Sequence, residues 1–109
     1  MKDHRLIDER SLAFHRLVAE KLCADPALLD LATANLDRWE AGASPRVRPV
    51  LEEWRALIGA PLDELLAVLT REDERATRLR QSSPFCGILT EAERLAVIRE
   101  FQARESAAA

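Results

Sequence analysis

Helix-start signals punctuate this chain from one end to the other. Asp25 stands before Pro26 and Ser44 before Pro45: in each pair a side-chain oxygen able to accept from a free backbone N–H precedes an imino acid whose fixed φ suits the first helical position. Pro61 opens another segment, and Thr90 with Glu93 has the Thr-x-x-Glu pattern of a capping box. Between these signals the apolar residues recur at helical spacing, and nowhere do they alternate with period two. The chain is therefore expected to be all-α, a compact bundle of five or six helices in one domain over residues 1–104, with residues 105–109 a frayed tail.

The spacing predicts the elements in turn. A helix over 3–24 carries Ile7, Phe14, Leu17, Val18 and Leu22 on its inner stripe with His15 at the edge. A second, from Asp25-Pro26, carries Leu28, Leu31, Ala32, Leu36 and Trp39 and stops at Ala41-Gly42, with Gly42 expected in the left-handed cap conformation. Val47, Val50, Leu51, Trp54, Leu57 and Ile58 give the third helix the most regular period in the chain, up to Gly59. A short apolar helix from Pro61 through Leu69 follows. Thr70 with Asp73 then resembles a capping box opening a polar helix to about Gln81, whose apolar residues are only Ala76 and Leu79. After the loop from Ser82 to Gly87, Leu95, Ile98 and Phe101 mark the inner positions of the last helix.

Length and composition exclude several classes of function. With 109 residues there is room for one domain and none for a cofactor domain beside a substrate domain. A formal net charge of -3 gives no general attraction for nucleic acid. Its distribution does not help, since residues 71–109 carry seven basic and seven acidic side chains. Aromatic residues make up only 5% of the chain, so the core is thin and a stabilising partner is a reasonable expectation. Cys23 and Cys86 stand far apart in no CxxC arrangement, and the N-terminus lacks signal-peptide order, which points to a cytoplasmic protein with reduced thiols. The longest apolar runs, such as Leu65–Leu69, fall far short of a membrane span. Scattered histidines and cysteines offer no metal-ligand spacing, and three isolated glycines cannot make a phosphate loop, so neither metal nor cofactor is expected.

One stretch stands out chemically. Arg71, Arg75, Arg78 and Arg80 fall within ten residues on a helix with almost no apolar face, followed by Gln81, Ser83 and Phe85. Arginine and aromatic side chains dominate interface energetics, so these seven residues are the candidate docking surface for a protein or for phosphates. The alternative is structural: Phe85, Ile88 and Leu89 plug the bundle, and the arginines are a solvated face balanced by Glu72, Asp73 and Glu74. A helix-turn-helix is a third arrangement, with the Arg71–Gln81 segment as recognition helix. Its acidic N-terminal end would repel the phosphate backbone. Arg10 and His15 have the Arg-x4-His spacing of a class of helical ribonucleases, in which His moves the proton and Arg stabilises phosphate charge. A two-residue pattern arises often by chance, and an Arg paired with a carboxylate at a helix contact explains it equally. Cys86, with no neighbouring base in sequence, is expected to be a small packed residue, and Cys23 to be exposed.

The string RLRQSSPFCGILTEAER, with SLAFHRLVAEKL, ADPALLDLATANLDRW and RPVLEEWRALI, resembles small helical bacterial proteins of toxin–antitoxin type loci. The likeness runs over nearly the whole chain and is sharpest at residues 82–94, where Cys86 replaces the small residue of the pattern. The resemblance implies a non-enzymatic antitoxin that binds and neutralises a cognate toxin. Operator DNA and a second copy of the chain are further partners compatible with it.

Overall fold

In the computed structural model, residues 4–108 are described, and within them the chain is all-α. Helix α1 runs over His4–Ala24; a 3₁₀ turn at Pro26–Leu28 leads into α2, Leu29–Glu40; α3 spans Arg48–Gly59, α4 Leu62–Thr70, α5 Glu74–Arg80 and α6 Glu91–Ala108. No helix among the described residues is long and apolar enough to cross a membrane.

Two of the start signals act as their chemistry requires, whereas Ser44-Pro45 opens only a turn: the Ser44 carbonyl, not its hydroxyl, accepts from Val47 and Arg48, and α3 begins at Arg48 with no side-chain cap. Asp25 accepts from the Ala27 N–H at 3.2 Å, so the cap forms, although it opens a 3₁₀ turn before the α-helix proper. Thr90 and Glu93 satisfy each other's backbone reciprocally: the Thr90 N–H donates to Glu93 at 2.7 Å and the Glu93 N–H to Thr90 Oγ1 at 3.1 Å. Glu93 also accepts from Lys21 Nζ at 2.7 Å. Together with the backbone bond, the Lys21 contact holds its carboxyl down at about 2. Thr70 does not start a helix. Its hydroxyl donates back to the Leu66 carbonyl at 2.8 Å, inside the end of α4, and Asp73 alone caps α5 by accepting from the Ala76 N–H at 2.8 Å. Gly42 takes no left-handed conformation; the positive φ among the described residues is at Gly87, 91°. Helix α6 is helical through Ala108, since nothing in its alanine-rich end interrupts the helix.

Helix α1 is the spine, packing on α4, α5 and α6, while α3 bridges α2 and α4. Lys21 meets Glu93 and Glu9 meets Arg104, so α1 and α6 run antiparallel. Trp54 is fully buried at the centre with Leu22, Leu36, Leu65, Leu69, Leu79 and Pro84. Its indole N–H, which would be costly to bury unpaired, donates to the Leu79 carbonyl at 3.1 Å. On the outside of α2 and α3, Arg55 reaches Asp37 at 2.7 Å and Glu40 at 3.0 Å, and these two carboxylates push its already high pKa further up.

The inner stripes differ from expectation at several positions. In α1 the buried residues are Leu12, His15, Val18, Ala19 and Leu22, whereas Ile7 is exposed. The stripe is thus rotated toward His15, which lies within it. In α6, Val97 and Phe101 are buried and Leu95 is exposed. Leu31 and Val47 are also exposed, and Asn35 is buried beside Leu36 in their place. A helix as short as α2 shows only part of its circumference to the core, and Asn35 faces inward because it has backbone to bind there.

Candidate functional site

The seven residues singled out in the sequence separate into two groups. Arg71, Arg75, Arg78 and Gln81 are exposed, whereas Arg80 and Phe85 are buried and Ser83 is half-buried. On α5, positions 75 and 78 stand one turn apart on the outer face, while 76, 79 and 80 follow the i, i+3, i+4 spacing of an inner stripe. Arg80 is therefore drawn inward with Ala76 and Leu79, all three of them buried.

Once inside, Arg80 caps the end of the preceding helix. Its Nη1 donates to the Val68 carbonyl at 3.0 Å and to the Arg71 carbonyl at 2.6 Å, and its Nη2 contacts Thr77 Oγ1 at 3.4 Å. Carbonyls at a helix C-terminus carry negative partial charge and lack intrahelical donors, so a guanidinium suits them. Its Nε–H has no partner. Burial lowers the Arg80 pKa, an effect opposed by the more distant Asp73, Asp8 and Glu72. Phe85 completes the core, edge-on to Trp54 at 5.4 Å and to His15 at 6.4 Å between ring centres. For Phe85 the structural alternative describes the geometry, whereas Arg80 fits neither reading, being buried rather than part of a solvated face or a docking surface.

The outer arginines remain available. Arg78 lies 3.3 Å and Arg75 3.9 Å from the same carboxylate, Glu53 on α3, in partly solvated pairs of little intrinsic strength. Together with Arg71 and Gln81 they line an open trough of about 980 Å³ whose other walls include Asp73 and Glu74. The trough has cations along one side and acidic residues at the N-terminal end of α5.

A second concavity, about 570 Å³, lies between α1 and the loop joining α5 to α6. The loop is fixed from α2, where Asn35 donates to the Pro84 carbonyl at 2.9 Å and to the Cys86 carbonyl at 3.0 Å while Arg38 donates to its Oδ1 at 2.5 Å. Asn35 was the least visible of these residues in the sequence. Its only signal is a polar residue placed between Ala32 and Leu36 on the buried side of a helix. Cys86, expected to pack, is exposed on this loop, as is Cys23 on α1. The cysteine side chain points out because it is the backbone carbonyl that is held.

His15 lies in the wall of this concavity. Its Nδ1 donates to the Ser11 carbonyl at 2.6 Å, which leaves Nε2 as the lone-pair nitrogen. Burial lowers its pKa against the opposing Ser11 bond, with Arg80 adding to the depression. Arg10 lies five residues away, roughly 140° around the helix, so it does not share this wall with His15. No cluster of His, Cys, Asp or Glu among the described residues could hold a metal ion. Comparison with known proteins gives no match to a family model, to a curated protein or to a solved structure.

Proposed function

We propose that the chain is a non-enzymatic protein-binding module, a bacterial antitoxin that docks its cognate toxin on the outer face of α5. The observation that carries this reading is the division of labour on that helix. Arg80 fixes α5 to α4 from within, so Arg71, Arg75, Arg78 and Gln81 are held on a preorganised surface. Preorganisation lowers the ordering cost of binding, and arginine side chains are strong interface anchors. Because the only carboxylate on Arg75 and Arg78 among the described residues is the shared and partly solvated Glu53, an acidic partner surface can replace it.

Operator DNA is the competing ligand for the same arginines. Against it stand the seven-residue length of α5 and the exposed Glu72, Asp73 and Glu74 where a recognition helix would meet the bases.

The test is recovery of the tagged protein from its own cells, with mass spectrometry of what accompanies it and an absorbance ratio for nucleic acid. A stoichiometric protein partner surviving moderate salt is expected. Recovery of the chain alone, or with nucleic acid lost steeply as salt rises, would overturn the reading.

A further inference from the structure

The concavity between α1 and the α5–α6 loop has features that the docking of a partner on α5 does not use. Its floor is apolar, with Phe14, Val18, Phe85 and Leu89 among its lining residues. Its volume, about 570 Å³, falls within the roughly 300–1,000 Å³ of small-molecule sites.

Three polar groups line this space with hydrogen-bonding capacity unused among the described residues. His15 is only 7% exposed, and its Nε2 makes no hydrogen bond. Glu91 and Arg94, both exposed, stand on the rim three residues apart in the first turns of α6. Opposite charges at i, i+3 on a helix commonly pair, yet neither side chain makes an ion pair or a hydrogen bond among the described residues. An acceptor in an apolar floor with one negative and one positive group at the mouth is complementary to a zwitterion whose apolar body ends in a proton donor. The walls are also fixed in advance, because Asn35 holds the Pro84 and Cys86 carbonyls and Gly87 turns the loop at a φ of 91°.

The geometry points to a binding site for a free aromatic amino acid whose ring carries an N–H or O–H. Its carboxylate meets Arg94, its ammonium Glu91, its ring lies between Phe14, Phe85 and Leu89, and the ring donor reaches His15 Nε2. The exposed Cys86 thiol sits on the same rim, so an occupied site slows its alkylation, while Cys23 on α1 serves as an internal control.

The experiment is calorimetric titration of the full chain with L-tryptophan and L-tyrosine, alongside alkylation rates at the two cysteines. Three further ligands each lack one feature: L-phenylalanine the ring donor, tryptamine the carboxylate and N-acetyltryptophan the ammonium. Saturable binding of tryptophan or tyrosine is expected, weakened roughly tenfold or more by each deletion, with Cys86 protected and Cys23 not. Arg94→Gln, at an exposed position, should weaken tryptophan and leave tryptamine unchanged. Absence of saturable binding at millimolar ligand, equal affinity for all five compounds, or equal protection of both thiols would each overturn the assignment.

Discussion

Arg78 and Arg80 are two residues apart on the same short helix, and they have opposite surroundings. Arg78 is exposed and touches one carboxylate on α3 at 3.3 Å. Arg80 is 5% exposed and among the described residues has no carboxylate partner, only the carbonyls that end α4 and a threonine hydroxyl. The difference begins with angular position, since 80 falls on the stripe of 76 and 79 and 78 does not, and the carbonyls that end α4 complete it. A cluster of arginines in a sequence is therefore not one feature: a rotation of roughly 200° separates a surface group from a structural rivet. The same division separates Phe85, in the core, from Gln81, on the surface.

Substitutions on the inner side should have the largest effects. Phe85→Ala removes the ring that lies edge-on to Trp54 and His15, and should cost about 3–5 kcal/mol in denaturant unfolding. Arg80→Met keeps much of the stem but leaves the Val68 and Arg71 carbonyls without their donor. It should cost about 1–3 kcal/mol, read as a lower midpoint with an unchanged slope. If Arg80→Met were neutral while Arg78→Met were not, the distinction between the two faces would fail.

Acidification acts on the inner side through His15. The His15 pKa is depressed in the folded state, so between that value and the unfolded value of about 6.5 the unfolded chain binds more protons. Stability should be fully present above about pH 6.5 and decline as the pH falls below it. The decline should be absent in His15→Phe if that variant folds, and in the wild type the imidazole proton resonances should titrate below the usual histidine range. A separate loss at lower pH follows from Glu93, whose carboxyl is held at about 2, as the pH falls through the window between the ordinary 4.5 and that value. The smallest effect on stability belongs to the outer side: Arg75→Glu with Arg78→Glu should change unfolding by no more than about 0.5 kcal/mol, because solvated pairs of this kind contribute little.

The helical architecture was legible in the sequence because its signals are local. Asp25 before Pro26, the Thr90–Glu93 box and the period of Val50, Leu51, Trp54 and Leu57 need no knowledge of the rest of the chain. What the sequence did not disclose depends on partners distant in sequence. Asn35 is buried because carbonyls 49 and 51 residues later lie against it. Arg80 is buried because α4 ends where its guanidinium can reach. The α1 stripe includes His15 because its Nδ1 proton is satisfied one turn back at Ser11, which makes an otherwise polar ring acceptable against Phe85. Thr70 departs from its expected role for a related reason: a hydroxyl that could have begun a helix instead bonds back into the one that precedes it. Of the candidate site, the clustering of the arginines was visible in the sequence, whereas the separation of Arg80 and Phe85 from the exposed residues required the packing of α5 and of the loop after it.

The most direct test of the central claim sets binding and stability side by side on one helix. With the co-purified partner in hand, its affinity for the wild-type chain, for Arg75→Glu with Arg78→Glu and for Arg80→Met is measured together with the unfolding midpoint of each. The outer double variant should lose the partner while melting as the wild type does, and Arg80→Met, at a temperature where it remains folded, should melt earlier and bind more weakly than the wild type, though far more tightly than the double variant. Undiminished binding by the double variant would contradict the claim and move the docking surface off α5.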